Sequence, residues 1–162
     1  VRIIFLDLDG VLNSEKSCLK NPNGHFNDNP DPDHIKWLNL IIEKTGAKVV
    51  ISSVWRRNAS WLQMWRLLDV LGFKGEIIGQ TPELHSHRGV EVQTWLNVYK
   101  DNKAFVRFSD PKPPEPIESF VILDDDQDMG ELLKYLVCVD SKEGLTEADA
   151  EKAIKILLRQ ST

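Results

Sequence analysis

The sequence contains only two cysteines, Cys18 and Cys138, too few for the disulfide framework that holds small secreted domains together. It has no uninterrupted apolar run of about 18 residues, the length at which a segment reads as a membrane-spanning helix. An excess of basic residues is also missing: 20 Lys and Arg stand against 25 Asp and Glu, a formal net charge of −5. That balance excludes a broad basic face for duplex nucleic acid but leaves room for a local anion site. There are no internal repeats and no low-complexity tracts, so collagen-like, coiled-coil and solenoid architectures are excluded. The apolar opening, VRIIFLDLDGVL, is broken by Asp7 and Asp9 and is followed by no small-residue cleavage site, so it reads as structure and not as a signal peptide. These absences describe a soluble, intracellular chain with reduced thiols, expected in the cytoplasm, with no membrane and no obligate protein partner.

What is present is an ordinary globular mixture. Hydrophobic residues make up 41% and charged residues 28% of 162 residues, a length that fits one domain over 1–162. Short apolar runs rich in β-branched residues predict strands at 2–6 (RIIFL), 47–52 (AKVVIS), 75–79 (GEIIG), 119–124 (SFVILD) and 136–140 (LVCVD). Helical spacing of apolar residues predicts helices between them. Asp33 opens the first of these, which closes at Gly46. Ser60 caps a second, ending at Gly72, and a third spans 89–99 through Val92, Trp95, Leu96 and Tyr99. MGELLKY predicts a short helix, and Thr146 caps the last one. Residues 13–32 read as a long polar flap or loop, and 110–118 as a rigid Pro-rich linker inside one core. Strands alternating with helices imply an α/β fold, a three-layer sandwich on a mostly parallel five-stranded sheet.

The acids fall where the strands stop. The first strand ends in Asp7-Leu8-Asp9-Gly10, the fourth in Asp124-Asp125-Asp126, and the second in Ser52-Ser53. In an open parallel sheet, ligands bind at the carboxyl ends of the strands, and right-handed crossovers put these three ends on one edge. Asp at a strand end is often simple turn chemistry, which accounts for Asp126 or Asp128. Two separate acidic clusters at the ends of apolar strands are better explained by a hard cation. Carboxylates gathered at one spot repel unless neutralised, and Mg²⁺ takes one or two of them and fills its shell with water and phosphate oxygens. The residues alone therefore suggest a Mg²⁺ site aimed at a phosphate-like substrate.

DLDGVL (7–12), the Ser-terminated strand VVISS, Arg88 at a helix start and VILDDD (121–126) together resemble the four motifs of the haloacid dehalogenase-like (HAD) hydrolases, in order. Closer still, FLDLDGVLNS, VISSVWR, RGVEVQTWL and ILDDDQDM are similar to the HAD domains of Swiss-Army-Knife RNA repair proteins. The resemblance implies a HAD-type, Rossmann-like fold in which Asp7 is the nucleophile and forms an aspartyl-phosphate. It implies that Asp9 is the acid and then the base, with its backbone carbonyl in the metal shell, and that Ser52 contacts a phosphoryl oxygen. Arg88 offsets the phosphoryl charge, and Asp125, with Asp124 beside it, binds the metal. The Arg in place of the more usual motif III Lys keeps the charge in a bulkier, forked form. The acid after Asp125 is shifted from its usual spacing, which leaves Asp126 and Asp128 as support residues.

Several further residues have open readings. Ser53 competes with Ser52 for the phosphate. Arg56, after the second strand, reads as a second substrate contact or as a solvated helix start. His85 and His87 flank the approach to Arg88. Trp37, Trp65 and Trp95 read as core, leaving Trp55 as the one candidate for stacking a base. The stretch 53–88 is too short to hold a folded cap between motifs, so a large cap is not expected and bulky substrates are admissible. The leading expectation is a Mg²⁺-dependent phosphomonoester hydrolase acting on a nucleic-acid end or a nucleotide. The alternatives are a small-metabolite phosphatase with 13–32 as its lid, and a catalytically silent HAD-fold binding module.

Overall fold

Five short apolar segments lie side by side in one all-parallel sheet of order β3-β2-β1-β4-β5, formed by β1 (Arg2–Leu6), β2 (Lys48–Ile51), β3 (Ile77–Gln80), β4 (Ser119–Asp124) and β5 (Leu136–Cys138). The computed structural model describes residues 1–20, 30–100 and 115–159. Parts of the expected flap (21–29) and of the Pro-rich linker (110–114) lie outside those residues. Among the described residues five helices accompany the sheet: α1 (Glu15–Leu19), α2 (Pro32–Thr45), α3 (Trp61–Val70), α4 (Arg88–Lys100) and α5 (Glu147–Leu158). Two 3-10 turns, 54–57 and 130–135, sit after β2 and before β5.

Alternation along the strands sorts the core into two layers. Ile4, Leu6, Val49, Ile51, Val121 and Leu123 pack with side chains of α2, α3 and α5. Ile3, Phe5, Val50 and Ile122 point the other way, onto Val92, Trp95 and Tyr99 of α4. Phe5 meets the Trp95 ring edge-on at 5.4 Å, and Trp95 stacks on Tyr99 at 4.9 Å. This is the expected three-layer α/β sandwich.

Boundaries shift where capping chemistry decides them. The helix expected to open at Asp33 is capped two residues earlier: the Asp31 carboxylate accepts the Asp33 N–H, and Pro32, preset for helix, takes the first position. Gly46, in the left-handed region, closes it as expected. Ser60 and Thr146 cap α3 and α5 through reciprocal side-chain bonds. MGELLKY forms a 3-10 turn in place of the short helix expected there. The stretch 13–32 is not wholly loop. Ser14 and Ser17 form a capping box that starts α1, and His34 ties it down, with Nε2 3.2 Å from the Ser14 hydroxyl and Nδ1 3.0 Å from the Leu145 carbonyl.

One contact sets where α4 begins. Gly89 donates its N–H to the Asp128 carbonyl, and its α-carbon lies against the Met129 backbone so closely that any β-carbon would collide with it. That approach brings the start of α4 onto the turn after β4, with Arg88 at the sheet edge. Gly89→Ala is therefore expected to lower unfolding free energy by about 1–3 kcal/mol, the usual range for overpacking, read as a fall in the urea midpoint. The obstacle is backbone, so the neighbour cannot yield as a flexible side chain would, and an unchanged midpoint would contradict this account.

Candidate active site

The site grows out of register. Leu6 lies level with Leu123 of β4 and Ile51 of β2, so the next residues on the three strands, Asp7, Asp124 and Ser52, stand in one row. The ladder carries on through that row: Asp7 N–H donates to the Leu123 carbonyl at 3.0 Å and Ser52 N–H to the Leu6 carbonyl at 2.9 Å. Alternation continues Ile3 and Phe5 to Asp7, Ile122 to Asp124 and Val50 to Ser52, which directs all three toward the α4 layer. The first residue of that helix is Arg88. Its guanidinium lies 3.6 Å from Asp7 and 3.7 Å from Asp124 and donates to the Ser52 carbonyl.

Asp7, Asp124 and Asp125 each bring a carboxylate oxygen to one spot, all within 4.8 Å of one another. Asp124 is fully buried, and its Oδ2 has no hydrogen-bond partner. Gly10 makes the approach of Asp125 possible. It sits at φ +73°, where L side chains are strained, and a β-carbon there would run into the Asp125 carboxylate. Oxygen-only donors of this kind suit a hard divalent cation.

The electrostatics follow from burial and crowding. Burial pushes the Asp7 carboxyl up, against the opposing pull of Arg88, the Ser53 hydroxyl and the Leu8 N–H. Asp124 is raised to about 7, first by burial and then by repulsion from Asp7, with Arg88 opposing. Asp125 is raised by burial and by Asp7.

The remaining predicted residues divide. Ser53 is the serine whose side chain pulls the Asp7 carboxyl down, while the Ser52 hydroxyl is fully buried without a hydrogen-bond partner. Asp9, half-buried, holds its carboxylate beside this cluster: Oδ1 accepts from the Asn13 amide at 2.9 Å and Oδ2 from the Trp55 indole at 3.0 Å. Arg56 turns inward. Its side chain is 3% exposed, paired with Glu91 at 2.5 Å and donating to the Ser52 and Ser53 carbonyls. The expectation that Arg56 reaches substrate does not fit this placement, because a guanidinium buried against a carboxylate and two carbonyls has no face at the open edge. Trp55, expected as a stacking platform, has its polar edge committed to Asp9 and its ring packed on the core.

Two residues, Asn13 and Glu91, had no role in the sequence reading. Asn13 is 1% exposed and also accepts the Gly10 N–H through Oδ1. Glu91 is buried on the apolar stripe of α4, one turn after Arg88, and accepts the Leu84 N–H besides pairing with Arg56. A carboxylate on that stripe was the available signal, since buried charges are paired. Asp128 accepts from exposed His87 at 2.8 Å, so both are engaged at the rim. Asp126 N–H caps Asp124 Oδ1, which accounts for Asp126 as turn chemistry.

No curated protein and no solved structure matches the chain. Residues 3–150 match the family described as the HAD domain in Swiss Army Knife RNA repair proteins, a match that runs from β1 to the start of α5 and takes in every element of the site. The chain belongs to this family of HAD domains.

Proposed function

We propose that the protein is a Mg²⁺-dependent phosphomonoesterase that works through an aspartyl-phosphate on Asp7, with a nucleic-acid or nucleotide end phosphate as substrate. The observation that carries this reading is the meeting of Asp7, Asp124 and Asp125 at one spot with Arg88 against Asp7 and Asp9 two residues on. The end-phosphate class is supported by the family's description as domains of RNA repair proteins.

The residues present fit a divalent cation, since Asp124 Oδ2 is buried with no hydrogen bond, only the guanidinium of Arg88 3.7 Å away, and the donor set is all oxygen. Asp7, Asp124 and Asp125 would hold it, with the Asp9 carbonyl. When bound, it would neutralise the carboxylates and the phosphoryl oxygens, the electrostatic part of the barrier. The chain's own groups do the rest. An Asp7 oxygen attacks phosphorus as the ester P–O bond breaks, and Asp9 gives its proton to the leaving oxygen. In the second half Asp9 takes a proton from water, the water oxygen bonds to phosphorus, and the bond to Asp7 breaks to release inorganic phosphate. Arg88 supplies the fixed positive charge beside Asp7. Ser52 has the free hydroxyl for a phosphoryl oxygen, and Ser53 orients Asp7. Arg56 holds the Ser52–Ser53 turn and is left out of the substrate contacts.

Two outcomes test this. Asp7→Asn is expected to lower kcat/KM by about 10³-fold or more on any phosphomonoester, the scale for losing a nucleophile. Among 3′- and 5′-phosphorylated oligonucleotides, nucleotides and sugar phosphates, the oligonucleotide or nucleotide ends should be the best substrates, and only with Mg²⁺ present. A sugar phosphate leading the panel would replace the substrate class while leaving the mechanism standing.

The raised Asp124 carboxyl makes a separate prediction about stability. A folded value of about 7 lies above the ordinary 3.8, so the folded state binds the proton more tightly than the unfolded state does. The metal-free protein should hold this stabilisation fully below about pH 4 and lose it as pH rises through about 7. Its Tm in a chelator should fall between pH 5 and 8, Asp124→Asn should flatten that fall, and added Mg²⁺ should raise Tm more at pH 8 than at pH 5. A metal-free Tm that climbed over this range would contradict the assignment.

A further inference from the structure

Building on the phosphatase reading, we propose that Trp55 is a positioning residue for general acid catalysis: its indole N–H, with the Asn13 amide, holds the Asp9 carboxylate so that its proton faces the leaving group alone. An aspartate at the mouth of a site is free to turn about two side-chain bonds. Here each of its oxygens accepts one N–H, from opposite partners, at 2.9 and 3.0 Å, which fixes both rotations. The Asn13 amide is turned unambiguously, because its Oδ1 accepts the Gly10 N–H and Nδ2 is left to donate to Asp9.

The chemistry of the two partners matters as much as their distance. An indole N–H donates and cannot accept, and neither can an amide nitrogen. A serine, tyrosine or histidine in the same places would offer Asp9 a competing acceptor for its proton. With donors only, the proton has no protein acceptor among these contacts, and each oxygen keeps one lone-pair position for substrate or water.

Trp55 is itself firmly placed. It sits in the 3-10 turn at 54–57, its backbone N–H donates to the Ser53 hydroxyl at 3.3 Å, and its backbone carbonyl accepts from the Asn58 and Ala59 N–H groups. The next residue is the buried Arg56, which clamps the Ser52 and Ser53 carbonyls and Glu91. The turn that carries the Asp9 donor is therefore the one that presents Ser53 to Asp7. One rigid segment sets the nucleophile and the acid relative to each other.

The test compares kcat/KM of wild type and Trp55→Phe on two esters, with Mg²⁺. Departure of an alkoxide needs a proton, whereas p-nitrophenolate leaves without one, and kcat/KM covers only the steps up to leaving-group release. The variant should lose about tenfold or more on an alkyl phosphate, within the range general acids supply, and less than about threefold on p-nitrophenyl phosphate. A second readout needs no activity. The indole N–H resonance that disappears in Trp55→Phe should shift upfield in Asp9→Ala in ¹H–¹⁵N spectra of otherwise folded protein. An equal loss on both esters, or an indole resonance indifferent to Asp9→Ala, overturns the proposal while the phosphatase reading stands. A wild-type protein inactive on every ester overturns that reading and this one with it.

Discussion

Three carboxylates brought within 4.8 Å of one another dominate the physics of this molecule. At an effective dielectric of about 20, two unit charges that far apart repel by about 3–4 kcal/mol. Ionised together and unaided, the three would oppose folding by an amount comparable to a domain's net stability. Arg88 answers part of this, but one guanidinium at 3.6 and 3.7 Å serves two of the three acids. Burial first, and then repulsion from Asp7, raises the carboxyl of Asp124 to about 7, so that it holds a proton more readily than an exposed carboxylate does. A gathering of oxygen donors of this kind suits a hard cation.

The rest of the structure keeps that unfavourable gathering in place. Parallel register makes Asp7 and Asp124 neighbours whatever their charges, since the ladder bonds are made by backbone. Gly10 turns the chain beneath Asp125, and Gly89 lets α4 approach close enough for Arg88 to reach both strands. The buried Arg56–Glu91 pair belongs to the same scheme. Such pairs add little net stability, because desolvating both ions offsets their attraction. What this one does is geometric: it ties the Ser52–Ser53 turn after β2 to α4 and to the loop at Leu84.

The fold and the acidic row were legible because both are periodic or positional signals. Apolar runs such as RIIFL and SFVILD can only be strands covered on both sides, and acids at their ends share an edge in any parallel sheet. Asp7, Asp9, Asp124, Asp125 and Ser52 could be picked from the chain for that reason, and Arg88 through its resemblance to the third HAD motif. Other features were hidden because they depend on side-chain direction, which spacing does not encode. Arg56 and Arg57 look alike in sequence. In the structure one is buried on Glu91, and the other lies at the surface with Glu83. Trp55 shows an aromatic face to a reader of the sequence, yet its N–H edge faces Asp9. Asn13 looks like loop polarity until Gly10 and Asp9 are seen to share its amide. The capping box of α1 was in plain view as Ser14 and Ser17, and the surrounding polar composition masked it.

The net charge of −5 takes on a different meaning against this geometry. If all were ionised, Asp7, Asp124 and Asp125 with Arg88 would carry two negative charges, at the point where the phosphate of the proposed substrate would arrive. A surface of that sign would repel such a substrate at short range, whatever its affinity elsewhere. On the proposed reading, a divalent cation held by the three acids would offset that charge, so that a phosphate would meet the Arg88 guanidinium beside a compensated cluster. Overall acidity therefore does not argue against an anionic substrate in this chain. Part of it is concentrated where a bound cation would reverse its effect, and on the proposed reading the same carboxylates that would repel a phosphate without metal would make its binding depend on metal.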